Sequence, residues 1–118
     1  MSDTVSWAIH MSVRDGQLSA ARELMPEMVE STRGEAGTLG YEWFLDAGGT
    51  VCHLNERYAD SAAAMVHLGN FGAKFAERFL ECFEPTGLYV YGAPSDEVRA
   101  ALDGFGAVYL GAFAGFSR

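Results

Sequence analysis

Apolar and polar residues alternate strictly over residues 5–13. Val5, Trp7, Ile9, Met11 and Val13 fall on one side, and Ser6, Ala8, His10 and Ser12 on the other. Successive side chains of an extended chain point to opposite faces, so this run predicts a half-buried strand, ended by Asp15-Gly16. Over residues 17–33 the spacing becomes helical, with Ala21, Leu24, Met25, Met28, Val29 and Thr32 on one side. Pro26 lies inside that pattern. It removes a backbone donor at a cost of about 3 kcal/mol, which predicts a kink or a short break. Residues 34–37 connect to a second strand over 38–46, in which Leu39, Tyr41, Trp43 and Leu45 alternate. Ala47-Gly48-Gly49 reads as a hairpin turn and residues 50–58 as the third strand. Asp60 or Ser61 caps a long helix running to about Phe83, with an apolar stripe of Ala64, Leu68, Phe71, Phe75, Phe79 and Cys82. Gly69 and Gly72 weaken that helix and predict a bend near Asn70. Glu84-Pro85 ends it. Residues 87–92 form a fourth strand, with Leu88 and Val90 opposite Tyr89 and Tyr91. Pro94-Ser95-Asp96 opens a short helix over 96–103, closed by Gly104. Residues 105–113 read as a fifth strand, with Phe105, Tyr109 and Phe113 on one parity.

The order is β-α-β-β-α-β followed by a short helix and strand, an α+β class chain. Its first six elements follow the ferredoxin-like plan, an antiparallel sheet with both helices on one face. The other face needs a cover. A chain of 118 residues is one domain, and 13% aromatic residues is a surplus for its size. A second copy of the chain supplies that cover most cheaply, so a homodimer is expected.

Charge narrows the partners. Eight basic against 16 acidic residues give a net charge of −8, which argues against nucleic acid and anionic membranes. No segment is apolar for long enough to span a membrane. The first residues lack the basic and apolar runs of a secretory signal. Cys52 and Cys82 have no disulfide or metal-ligand spacing and read as small core residues, and a reduced cytoplasm is the default location. No Rossmann fingerprint, phosphate-binding loop or GxSxG elbow is present.

Three features taken together carry a family resemblance. The first helix leads into TRGEAGTLGYE, residues 32–42. The hairpin then leads to Glu56-Arg57-Tyr58, a glutamate two residues before an aromatic. His67 follows nine residues after that aromatic. In order and spacing, residues 4–93 resemble the antibiotic biosynthesis monooxygenase family of the dimeric α+β barrel superfamily, which more often carries Trp at the place of Tyr58. Residues 94–118 are an extension beyond that core. The resemblance implies a single domain with a pocket between sheet and helices. It also implies a cofactor-independent monooxygenase that oxidises a small aromatic phenol or quinol with O2, using neither flavin nor metal. A non-catalytic small-molecule-binding dimer of the same fold is the alternative. The heme-degrading members carry their proximal histidine ten residues after the place of His67, where this chain has Glu77.

On that reading His67 is the catalytic base, with Tyr58 and Asn55 orienting oxygen atoms. His67 could equally be a boundary histidine bonded to Glu56 or to a backbone carbonyl. Glu56 sits on the apolar parity of its strand, needs a partner there, and is expected to orient His67 or to bond the start of the helix. Trp7, Tyr41, Trp43, Phe71 and Phe75 are candidate walls for a flat ligand, or core packing. His10 and His53 are expected to approach across neighbouring strands, as a substrate-binding patch or as an interface lining. A metal site built from His10, His53 and His67 would require His67 to reach through the sheet.

Overall fold

A computed structural model describes residues 3–118, in the order β1 (Val5–Val13), α1 (Leu18–Arg33), β2 (Thr38–Leu45), β3 (Val51–Tyr58), α2 (Ser61–Lys74), α3 (Ala76–Cys82), β4 (Phe83–Tyr91), α4 (Asp96–Leu102), a 3-10 turn (Asp103–Phe105) and β5 (Val108–Leu110). The five strands form one sheet in the order β2-β3-β1-β4-β5. The first four pair antiparallel and β5 joins β4 in parallel. This is the ferredoxin-like α+β fold, with one added strand. Among the described residues no helix is long and apolar enough to cross a membrane.

The alternation in β1 sorts the sheet's two faces. Trp7 stands opposite Glu56 and Val90, and Met11 opposite Cys52, all on the helix side. Two buried groups lie there, one around Met11, Leu24, Leu54 and Phe79, the other around Val5, Trp7, Tyr58 and Val98. Cys52 is fully buried, and burial, followed by the charge of Asp46, pushes its thiol up to about 11. It therefore behaves as a small hydrophobe.

Four boundaries differ from the sequence reading. Helix α1 runs unbroken through Pro26. Arg22, whose carbonyl loses its N–H partner, is on the exposed side, where water replaces the missing bond. The long helix does divide, but at Phe75 rather than near Asn70. The Asn70 turn is pinned because its side-chain amide donates to Glu35 at 3.0 Å. Strand β4 starts at Phe83, directly after α3, and takes Pro85 into the sheet at a register shift between His10 and Met11. A bulge is where a residue without an N–H is tolerated in a strand. Strand β5 is short because its partner β4 ends at Tyr91, and Phe105 falls instead in the 3-10 turn before Gly106, whose φ is +73°.

Candidate functional site

The site begins with a close approach at Gly37. A Cβ placed there would lie 2.5 Å from the Ala63 Cβ, so only glycine lets the α1–β2 turn meet the first turn of α2. The same end of helix α2 is capped by Asp60, whose carboxylate accepts from the Ala63 N–H at 2.8 Å. His67 is one turn beyond Ala63 and therefore faces the same turn of chain. There Glu35 meets it: the His67 Nδ1 and a Glu35 carboxylate oxygen are 2.9 Å apart. Glu35 is held in place by the Thr38 hydroxyl at 2.8 Å and by Asn70.

The other ring nitrogen of His67 faces the sheet. Its Nε2 lies 3.1 Å from Oε1 of Glu56 on β3. That same oxygen accepts from the Tyr58 hydroxyl, and Oε2 accepts from the Trp7 indole N–H at 2.6 Å. All of these groups are buried: Glu56 is 4% and His67 5% exposed. An imidazole with a carboxylate oxygen at each nitrogen donates from both, which is the imidazolium form. Burial by itself pushes the His67 pKa down. The hydrogen bond and charge of Glu56, joined by those of Glu35, outweigh it and hold the pKa above the ordinary histidine value. Tyr58 is driven the other way. Burial first, then the charge of Glu56, raises its hydroxyl far above the ordinary tyrosine range, so it remains a donor.

Beside this cluster runs a narrow, almost wholly apolar cleft of about 50 Å³. Trp7, Leu54 and Leu88 of the sheet, Tyr41 of β2, and Leu68 and Phe71 of α2 line it, together with Glu56 and His67. The Tyr41 ring packs against His67 with centroids 5.4 Å apart. Its hydroxyl is buried without a formed hydrogen bond. Burial, then the charge of Glu56, raises its pKa, while Thr32 and the Trp43 ring nitrogen pull weakly the other way. Trp43 leaves its own N–H unpaired as well.

The structure thus brings together five residues singled out in the sequence: His67, Glu56 and Tyr58, with Trp7 and Tyr41 beside them. Phe71 also reaches the cleft. Trp43 and Phe75 do not. Trp43 instead packs on Phe83 and Phe79, with centroids 5.5 Å and 6.4 Å away, and Phe75 lies against the same core group. Asn55, His10 and His53 lie on the opposite face of the sheet from Glu56 and His67, because their parity along the strands is the opposite one. Asn55 cannot orient an oxygen in the cleft of its own chain. His10 and His53 stack face to face at 3.8 Å, with Tyr89 at 5.1 Å from His10. The sheet separates that pair from His67, so the three histidines do not converge.

Glu35 is the residue that sequence reasoning missed. It stands within the TRGEAGTLGYE segment, two residues before the Gly37 that presses against Ala63.

Residues 4–84 match the sequence model of the antibiotic biosynthesis monooxygenase family. Among solved structures, MupZ from Pseudomonas fluorescens is 24% identical, superposes with a TM-score of 0.88, and is matched over 100% of this chain and 91% of its own. That likeness includes residues 94–118. Rv0793 from Mycobacterium tuberculosis is 28% identical over 79% of this chain and 96% of its own, with a TM-score of 0.58. SnoaB from Streptomyces nogalater, a cofactor-independent oxygenase, is 11% identical over 80% of this chain and 96% of its own, with a TM-score of 0.67. No curated protein sequence matches. The match to the family model covers well over half of the sequence, and the chain belongs to the antibiotic biosynthesis monooxygenase family.

Proposed function

We propose that the cleft binds a small phenol or quinol, which O2 oxidises there to a quinone without a cofactor. The observation that carries this reading is a buried carboxylate–imidazole–carboxylate unit beside an apolar cleft in a chain of this family. SnoaB, a cofactor-independent oxygenase of the same fold, supports it by analogy.

Proton acceptance on this reading passes from His67 to Glu56. Both His67 nitrogens are engaged. Glu56 Oε1 already takes two donors, whereas Oε2 takes only Trp7, which leaves one acceptor position. The substrate hydroxyl gives its proton to Oε2, and the His67 imidazolium keeps the cluster's charge balanced. The phenolate, in a site of low dielectric, is electron-rich enough to reduce O2 directly. For a phenol with an open ring carbon, one oxygen atom enters the ring and the other leaves as water. For a hydroquinone, O2 leaves as hydrogen peroxide. Tyr41, with its unsatisfied hydroxyl, hydrogen-bonds the ligand oxygen.

The helix-free face of the sheet supports the expected homodimer. Phe44, Val51, Tyr91, Val108 and Leu110 are each more than 40% exposed there. Sedimentation at micromolar concentration gives a dimer on this account, and a stable monomer removes it.

The test is dissolved-oxygen uptake by metal-stripped protein with a panel of quinols and polyphenols, beside Glu56→Gln and above the autoxidation blank. Uptake that requires both protein and Glu56 supports the oxygenase reading. Uptake equal to the blank, together with thermal stabilisation by the same compounds, favours the non-catalytic binding dimer.

A further inference from the structure

An apolar cavity of about 150 Å³ holds a single benzene ring. The cleft beside His67 has about 50 Å³, so one of its walls must give way before any ring enters. Most of the walls are poorly suited to move. The sheet residues are clamped by strand pairing, and His67 is held from both sides. Two lining residues, Leu102 and Phe105, come from the extension over residues 94–118.

Those two differ in freedom. Leu102 is 3% exposed and belongs to α4, which is anchored at both ends. At the start of α4 the Ser95 N–H donates to the Ser61 hydroxyl of α2 at 2.9 Å. At its end the Tyr109 hydroxyl donates to the Asp103 carboxylate at 2.5 Å and lies 3.1 Å from the Arg99 carbonyl, while the Arg99 guanidinium lies 4.3 Å above the Tyr109 ring. Phe105 is 43% exposed and sits in a single 3-10 turn between Gly104 and Gly106. One backbone bond, Gly106 N–H to the Asp103 carbonyl at 3.1 Å, closes that turn. Turning Phe105 outward therefore exposes less new surface and breaks less structure than displacing the buried walls, such as Trp7, Leu54, Phe79 or Leu102.

We infer that Phe105 sets the size of aromatic ligand the cleft admits, with Leu102 as the fixed end wall. One ring enters when the Phe105 ring shifts, and two fused rings enter only when it leaves the mouth entirely. This rests on the reading that the cleft binds phenols. A ligand that must wait for a minor open state binds more weakly by the fraction of protein in that state, and removing the plug removes that penalty.

The experiment titrates phenol and 1-naphthol calorimetrically into the full chain and into Phe105→Ala and Phe105→Trp. The expected result is 1-naphthol binding at least tenfold tighter in Phe105→Ala and weaker in Phe105→Trp, with phenol changed by less than threefold. If 1-naphthol binds the unaltered chain and neither variant changes its affinity, Phe105 is not the gate and the ligand-class reading stands. If neither probe binds any of the three, the binding reading fails and this inference falls with it. Phe105 is half-exposed, so both variants should keep the fold, and the two substitutions push in opposite directions if one of them does not.

Discussion

Glu35→Gln isolates the half of the histidine clamp that the α1–β2 turn supplies. The two carboxylate oxygens accept from His67, Thr38 and Asn70. A glutamine has one acceptor oxygen, and its amide group faces a donor at the other position. The variant therefore loses a charge-assisted hydrogen bond between side chains that are each only 6% exposed, worth about 1.5–3 kcal/mol, and strains one neutral bond worth about 1 kcal/mol. The expected loss at pH 6 is roughly 2–4 kcal/mol. For a chain of this length that lowers the melting temperature by about 8–16 °C. The pH dependence supplies a second handle. The folded His67 pKa lies above the ordinary value of about 6.5, so the folded protein keeps a proton that the unfolded chain releases. The stabilisation is fully present below about pH 6.5 and is lost as pH rises through the folded value. Glu35→Gln lowers that folded pKa, so the gap between variant and parent is widest near pH 6 and shrinks as pH rises. Urea unfolding from pH 6 to 9, with Glu30→Gln as the exposed control on α1, measures both. A loss under 1 kcal/mol at pH 6, or a gap that does not change with pH, would refute the clamp.

Other expectations follow from the same geometry. Gly37→Ala places a Cβ 2.5 Å from Ala63, so it should cost about 1–3 kcal/mol and lower the His67 pKa by moving Glu35 away; denaturation and histidine NMR titration read the two effects. Tyr41→Phe removes a buried hydroxyl that has no partner, so stability should hold or rise while phenol affinity drops about tenfold in calorimetry. Asn55→Ala lies across the sheet from Glu56 and His67 and should leave phenol affinity within twofold; a tenfold loss would show that this face completes the site.

Much of the architecture was legible because it rests on periodicity. Strict alternation in residues 5–13 and the hairpin glycines gave β1, β2 and β3 nearly at their observed limits, and the apolar parity placed Glu56 on the same side as the helices. What the sequence hid depends on contacts between distant segments. Pro26 appeared as a break because its solvent-facing position could not be seen. The bend stayed away from Asn70 because Glu35, 35 residues earlier in sequence, ties that turn down. Asn55 is expected beside His67 as an orienting group, yet its parity along β3 is opposite to that of Glu56, and one residue along a strand is the opposite face. The extension's contribution to the cleft was equally invisible, since Phe105 read as part of a strand.

The clamped imidazolium is the centre of the account, and ¹⁵N NMR of the histidine ring nitrogens reads it directly. With His67 assigned by comparison with His67→Gln, the account predicts both nitrogens protonated at pH 6.5, the point where an ordinary histidine is half neutral, and a midpoint that falls in Glu56→Gln and in Glu35→Gln. A single neutral tautomer at pH 6.5, unmoved by either substitution, would contradict it.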